Sequence, residues 1–188
     1  DGDNARFFAC TTLAGWLAEV WLNPPDEAGT ALSLCAQALR RSLVDRLRRD
    51  GQARDAVELW LTAVSRQADN RTDIEDLYEY ARRNNLSGRV RDHFARAAKE
   101  SFKDPRWPQV LAWLALLDGD GAAAAARYGD AVNINPQRLD LRERQAELIT
   151  DPAVAGKLYQ QLYELSDQNP TYGWQAVSRY LQAGRASE

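Results

Sequence analysis

The single histidine, His93, sits one place before Phe94 among Arg89, Arg91, Asp92 and Arg96. Zinc sites draw several His and Cys ligands from short spacings, and this neighbourhood supplies no second one. A structural or solvated role is therefore expected. Cys10 and Cys35 have no adjacent base that would activate a thiolate nucleophile. The run Asp118-Gly119-Asp120-Gly121 has the start of a calcium loop but lacks its alternating acidic ligands and distant glutamate. The acid pairs Asp73/Asp76 and Glu143/Glu147 suit solvated helix faces better than an acid–base couple. Phosphate-cradling glycine loops, HExxH and GxSxG are absent from the sequence. The chain is expected to be non-catalytic, with neither cofactor nor metal.

Composition narrows the remaining classes. The 188 residues are 45% hydrophobic with six tryptophans, enough for a packed core and unlike a disordered chain. The net charge of −3 comes from interspersed acids and bases, without the one-signed basic stripe that a nucleic-acid partner requires. The bases are 21 arginines and three lysines, which fits either a GC-rich coding bias or guanidinium contacts to acidic groups. The most apolar stretch, residues 7–22, is interrupted by Cys10, Thr11, Thr12, Gly15 and Glu19 and does not read as a membrane span. The sequence opens without methionine and without a signal-peptide pattern, so an excised piece or a mature product is expected.

Cys10 and Cys35 stand 25 residues apart on two predicted helices that meet at Asn23-Pro24-Pro25. An antiparallel pairing brings them level. Both a disulfide, which implies an oxidising compartment, and two buried thiols fit. Titration of free thiols on the denatured chain separates the two states.

The organising signal is a period of 34 residues. At that spacing Tyr128 aligns with Trp60, Phe94 and Leu162, while Ala131 aligns with Ala63, Ala97 and Leu165. Ala124 aligns with Ala56, Val90 and Leu158, and Leu111 with Leu43 and Leu77. The breakers Asp50-Gly51, Asn84-Asn85, Asp118-Gly119 and Thr150-Asp151-Pro152 keep the same phase, although Gly, Asn and Pro stop helices for different reasons. Pro136 and Pro170 repeat it again. Between breakers the apolar spacing is helical, as in Val57, Trp60, Leu61 and Val64. Each unit therefore reads as helix A, a turn, helix B and a second turn, with frames 37–70, 71–104, 105–138 and 139–172. The fourth frame fits better when its second helix is moved three residues earlier, with Tyr159 in the aromatic place.

These residues resemble the tetratricopeptide repeat (TPR) family, whose unit of the same length carries a small residue and an aromatic on helix B, a second small residue and then a proline. Ala124, Tyr128, Ala131 and Pro136 match, with Leu111-Ala112 on helix A. Arg40, Ile74, Pro108 and Arg142 depart from the tryptophan usual near the start of helix A, and Ala68 and Phe102 from the proline. The resemblance implies an all-α fold, a right-handed α-solenoid of about four helix-turn-helix repeats. Irregular helices at 1–36 and a closing helix within 173–188 flank it. The aromatics Phe7, Phe8, Trp16 and Trp21 of the first flank read as a docking surface or as the seam of a longer array.

In such arrays helix A lines a concave side that receives an extended peptide or a partner's helix. Carried over position by position, that lining is Arg41, Asp45 and Arg48, then Glu75, Glu79 and Arg82, then Gln109 and Trp113, then Glu143 and Glu147. Trp113 is either an anchor for the partner or a packing residue between units. The resemblance extends most closely to periplasmic TPR segments of bacterial exopolysaccharide-export proteins of the Pel kind. It implies a scaffold that tethers a polymer-modifying enzyme during secretion of the biofilm matrix. A cytosolic adaptor or co-chaperone module is one alternative, although Glu75, Glu79, Glu143 and Glu147 oppose a basic clamp for an acidic tail. Direct polysaccharide binding on Trp113 and Tyr172 is the other.

Overall fold

The computed structural model describes residues 29–65 and 70–184, with side chains from residue 38 onward where the chain is described. The predicted helix at 4–22, with Phe7, Phe8, Trp16, Trp21 and Cys10, lies outside the described residues, as does the side chain of Cys35. Contacts divide the chain into two compact units, Asp1–Ala63 and Val64–Glu188.

The described residues form nine helices and no strand: α1 (Gly29–Arg49), α2 (Ala53–Val64), α3 (Arg71–Arg83), α4 (Ser87–Glu100), α5 (Arg106–Leu117), α6 (Gly121–Ile134), α7 (Leu139–Leu148), α8 (Pro152–Leu165) and α9 (Pro170–Gln182). The fold is all-α. None of these helices is long and apolar enough to cross a membrane. The first frame's boundary at residue 37 falls inside α1, which continues unbroken to Arg49.

The breakers that shared a phase in sequence share a backbone motif. After α1, α3 and α5 the chain turns through a left-handed residue: Gly51 at φ +73°, Asn85 at +58° and Gly119 at +77°. Each turn closes with the same pair of amide bonds. Gln52 N–H donates to Leu47 O and Gly51 N–H to Arg48 O; Leu86 to Ala81 and Asn85 to Arg82; Asp120 to Ala115 and Gly119 to Leu116. This six-to-one and five-to-two pattern satisfies the carbonyls orphaned at a helix C-terminus. The following helix is then capped where the sequence provides an acceptor, as where Asp120 Oδ1 takes the Ala123 amide at 2.8 Å.

The core repeats with the turns. Ala56, Val90, Ala124 and Ala155 are all fully buried, followed by Phe94, Tyr128 and Tyr159 at 0%, 1% and 4% exposure. The spacing is 34, 34 and then 31 residues. The fourth unit's aromatic is therefore Tyr159. Leu162 takes the place of Ala131, and Leu165, which straight 34-residue spacing aligned with Ala131, is 45% exposed. The shortening lies in α7, which has 10 residues against 13 in α3 and 12 in α5. It ends at an extended Ile149, and α8 restarts at once because Asp151 accepts the Ala153 and Val154 amides and Pro152 is preset for a first helical turn.

Within the second unit each helix packs on the next from α3 to α9, and α3 also touches α5. Of alanines 122–126 only Ala124 and Ala125 are buried, so the bare face is narrower than the run of alanines. Phe94 meets Trp107 of α5 with ring centroids 6.2 Å apart. The closing helix begins at Pro170, ahead of the expected 173–188, because Asn169 caps it by accepting the Thr171 amide at 3.0 Å.

Register is testable by core deletion. Leu162→Ala should cost about 2–5 kcal/mol in urea unfolding, while Leu165→Ala should cost less than about 0.5 kcal/mol. Equal costs would return the fourth unit to straight 34-residue spacing.

Candidate protein-interaction surface

The residues that first suggested chemistry are absorbed by the fold. His93 is half-buried on α4, with Nε2 2.7 Å from Ser65 Oγ and its ring edge-on to Phe94 at 5.4 Å. Asp118 closes the turn after α5, and its carboxylate accepts the Tyr78 hydroxyl at 2.8 and 2.9 Å and Arg91 Nη1 at 2.9 Å. Asp73 completes a helix cap, its amide donating to Asn70 Oδ1. Among the described residues no group of three or more His, Cys, Asp and Glu is placed to hold a metal ion.

Tyr78, Arg91 and Asp118 tie α3, α4 and the α5–α6 turn together. Burial first, then the bond to Asp118, pushes the Tyr78 hydroxyl up to about 12. The phenol stays neutral because ionising it would place a buried anion beside a carboxylate.

The ten residues carried over for the partner face divide between the two units. In the first unit Arg41, Asp45 and Arg48 are exposed on α1, with Arg48 Nη1 3.3 Å from Asp45 and its guanidinium 5.5 Å above the Trp60 ring. In the second, Glu75, Glu79 and Arg82 recur at helical spacing on α3, Gln109 and Trp113 on α5, and Glu143 and Glu147 on α7. Trp113 is only 5% exposed. It interacts with Tyr128 of α6, and the Arg71 guanidinium lies 5.9 Å from its ring, so the geometry here is that of a packing residue.

The acidic bias of this face is largely matched within its own helices. Arg71 pairs with Glu75 at 2.6 Å, Arg82 with Glu79 at 2.9 Å and Arg144 with Glu147 at 2.7 Å. Glu143 instead accepts the Tyr172 hydroxyl of α9 at 3.3 Å. Arg71 and Arg144 were not among the residues expected from sequence, and Tyr172 was expected only as a sugar platform, not as a partner of Glu143. The first two were legible as i, i+4 and i, i+3 charge pairs, whereas Tyr172 reaches Glu143 only through tertiary packing. Arg82 also donates to Leu117 O at 3.2 Å, linking α3 to α5. Local pairs of this kind contribute only about 0.2–1 kcal/mol each, so an incoming charged group replaces them at small cost.

The described residues form successive helical hairpins, and on α3 and α7 Glu75, Glu79 and Glu147 are paired with arginines of their own helices. No family model matches the chain, and no curated protein matches it in sequence. Among solved structures it is similar to the MamA protein, with TM-score 0.49 and 11% identity over 80% of this chain and 84% of that one. It is also similar to YrrB, described as a TPR protein with an unusual peptide-binding site, with TM-score 0.47 and 11% identity over 79% and 78%. TTC0263, a thermophilic TPR protein of Thermus thermophilus, gives TM-score 0.42 and 17% identity over 80% and 84%. The repeat itself is defined by the turns and the burial pattern of this chain.

The Tyr78 tie carries a sign for alkaline unfolding. A phenol raised in the fold contributes stability that is intact below pH 10 and is lost as pH rises through about 12. Tyr78→Phe should flatten the fall in melting temperature across that window and cost about 1–2 kcal/mol at neutral pH. An unchanged alkaline profile would show that Tyr78 ionises as a free phenol does.

Proposed function

We propose that the protein is a non-catalytic protein-interaction scaffold whose polar face on α3, α5 and α7 receives an extended peptide or a helix of another protein. The observation that carries this reading is the pairing on that face. Glu75, Glu79 and Glu147 are neutralised by arginines of their own helices through exposed or half-exposed contacts of low cost, which a partner's charges can exchange. In the first unit Arg41, Asp45 and Arg48 of α1 are proposed separately as partner-contacting residues of that unit. Trp113 contributes by holding Arg71 and Tyr128 in place rather than by entering a partner.

A narrower setting follows from the sequence resemblance: a periplasmic segment that tethers a polymer-modifying enzyme near an exopolysaccharide export pore. A cytosolic adaptor that binds a peptide uses the same face. Tyr172 has its hydroxyl held by Glu143 and Trp113 is buried, which leaves little aromatic platform for a sugar on this side.

The full chain, used as bait against periplasmic and cytosolic extracts, tests both face and setting. Glu79→Arg and Glu147→Arg should each reduce retention of a specific partner about tenfold or more, which corresponds to about 1.4 kcal/mol. Helical circular dichroism should be unchanged. Retention that ignores both substitutions would move the interface off the leading helices.

A further inference from the structure

The second unit holds a groove whose walls and floor belong to three consecutive helices. It runs between α4 and α6 over Leu111, Leu114 and Ala115 of α5, with a volume of about 460 Å³. At 3.6 residues per turn these floor residues lie roughly opposite Gln109 and Trp113 on the same helix. The groove is therefore on the other side of α5 from the polar face described above. Its walls narrow to methyl groups at Ala95 of α4 and Ala123 of α6. One hairpin on, at the 34-residue spacing, Gly129 and Gln145 stand where Ala95 and Leu111 do. There the chain fills the place itself, since a Cβ on Gly129 would meet the Gln145 amide at 2.8 Å. An open groove is thus a property of these particular side chains and not of every hairpin.

Its two ends carry opposite charge. Toward the α5–α6 turn stand the carboxylates of Asp92, Asp118 and Asp120 against the one guanidinium of Arg91. Arg91 answers Asp118 at 2.9 Å, while Asp120 Oδ1 accepts the Ala123 amide at 2.8 Å. Arg96 reaches back to the Asp92 backbone carbonyl rather than to its carboxylate. This end is net acidic. Two turns along α6, about 10 Å from Asp120, the sign reverses at Arg127. Its contact to Asp130 is 3.3 Å long and half-exposed on both sides, and pairs of this kind exchange at low cost.

We propose that this groove binds an extended peptide segment of a partner protein, with a basic, an aliphatic and an acidic residue at alternate positions. In an extended chain such residues share one side and span about 13 Å between the outer two. That span matches the separation of the two charged ends once the reach of the long side chains is included. The basic residue meets Asp92 and Asp120, and the acidic one takes Arg127 from Asp130. The aliphatic side chain settles on Leu111, Leu114 and Ala115, where the alanines of both walls leave it room. Complementary charge at the two ends fixes the register, and burial of the apolar middle supplies affinity. The site does not rest on the polar face of α3, α5 and α7, so either can fail without the other.

The test uses the full chain and a fluorescein-labelled peptide with lysine, leucine and glutamate at alternate positions and serine at the others. Saturable binding is expected by fluorescence anisotropy. Serine in place of the leucine, or Ala95→Phe in the protein, which fills the groove, should weaken it at least about tenfold. Arg127→Glu should weaken it by a similar factor and restore it for a peptide whose glutamate is replaced by lysine. Glu79→Arg should leave binding unchanged, which separates this site from the polar face. Circular dichroism melts confirm that the variants are folded, and the exposed Arg127→Glu stands in if Ala95→Phe is not. Absence of binding, binding indifferent to these substitutions, or a charge exchange that the altered peptide does not restore overturns the proposal. So does a dimer in sedimentation equilibrium that dissociates on Arg127→Glu, since a second copy would then occupy the groove.

Discussion

A lone helical hairpin has more apolar surface than its two helices can cover for each other. The structure is governed by where neighbouring helices come close enough to cover the remainder. That approach is decided at one position on each second helix, occupied by Ala56, Val90, Ala124 and Ala155, where no side chain is solvent-exposed. A bulky residue there would hold the neighbour away and open voids, which packed interiors tolerate poorly. The aromatic four residues on fills the space left at the crossing. Small residue and ring act as one device, and in the second unit it sets the distances between successive helices.

The close approach is useful only if each hairpin delivers its helices at the same angle. The left-handed turn residues Gly51, Asn85 and Gly119 do this, with matching amide bonds at all three. Asn85 accepts a backbone region that most side chains avoid, and its short polar side chain keeps that cost low. The fourth hairpin lacks this turn. It reaches the same burial pattern by shortening α7 and restarting α8 on a proline and an aspartate cap, so the constraint is the crossing rather than the period.

Stability and recognition are placed on different residues. Ties that cross between helices include the partly buried bonds of Tyr78 to Asp118, Tyr180 to Gln160 and Tyr172 to Glu143, with Arg91 joining Asp118 from the solvent side. The arginine–glutamate pairs on the leading helices are local and solvated. Breaking the first kind loosens packing, whereas exchanging the second leaves the core untouched. A scaffold needs this division, because its recognition surface must change partners without unfolding. The apolar stripe of Trp174, Val177 and Leu181 on α9 is a third case, left exposed among the described residues.

The alignment of Ala56, Val90 and Ala124, of Phe94 and Tyr128, and of the three turn sites was readable from sequence. Each is set by the local chemistry of one residue type: helix crossing without bulk, ring volume and left-handed backbone. The same holds for the all-α class, which follows from helical apolar spacing between breakers. The identity of Tyr159 as the fourth aromatic was visible as a better fit but was settled only by the end of α7, where cap and proline override the period. Trp113 shows the limit most plainly. Its helix position was the same for an anchor as for a packing residue, and only Arg71 and Tyr128, brought in from α3 and α6, decide that it is buried. The neighbours of a side chain across a solenoid are non-local in sequence, so exposure, charge matching on the leading helices and the bare stripe on α9 emerge only when the helices are set against one another.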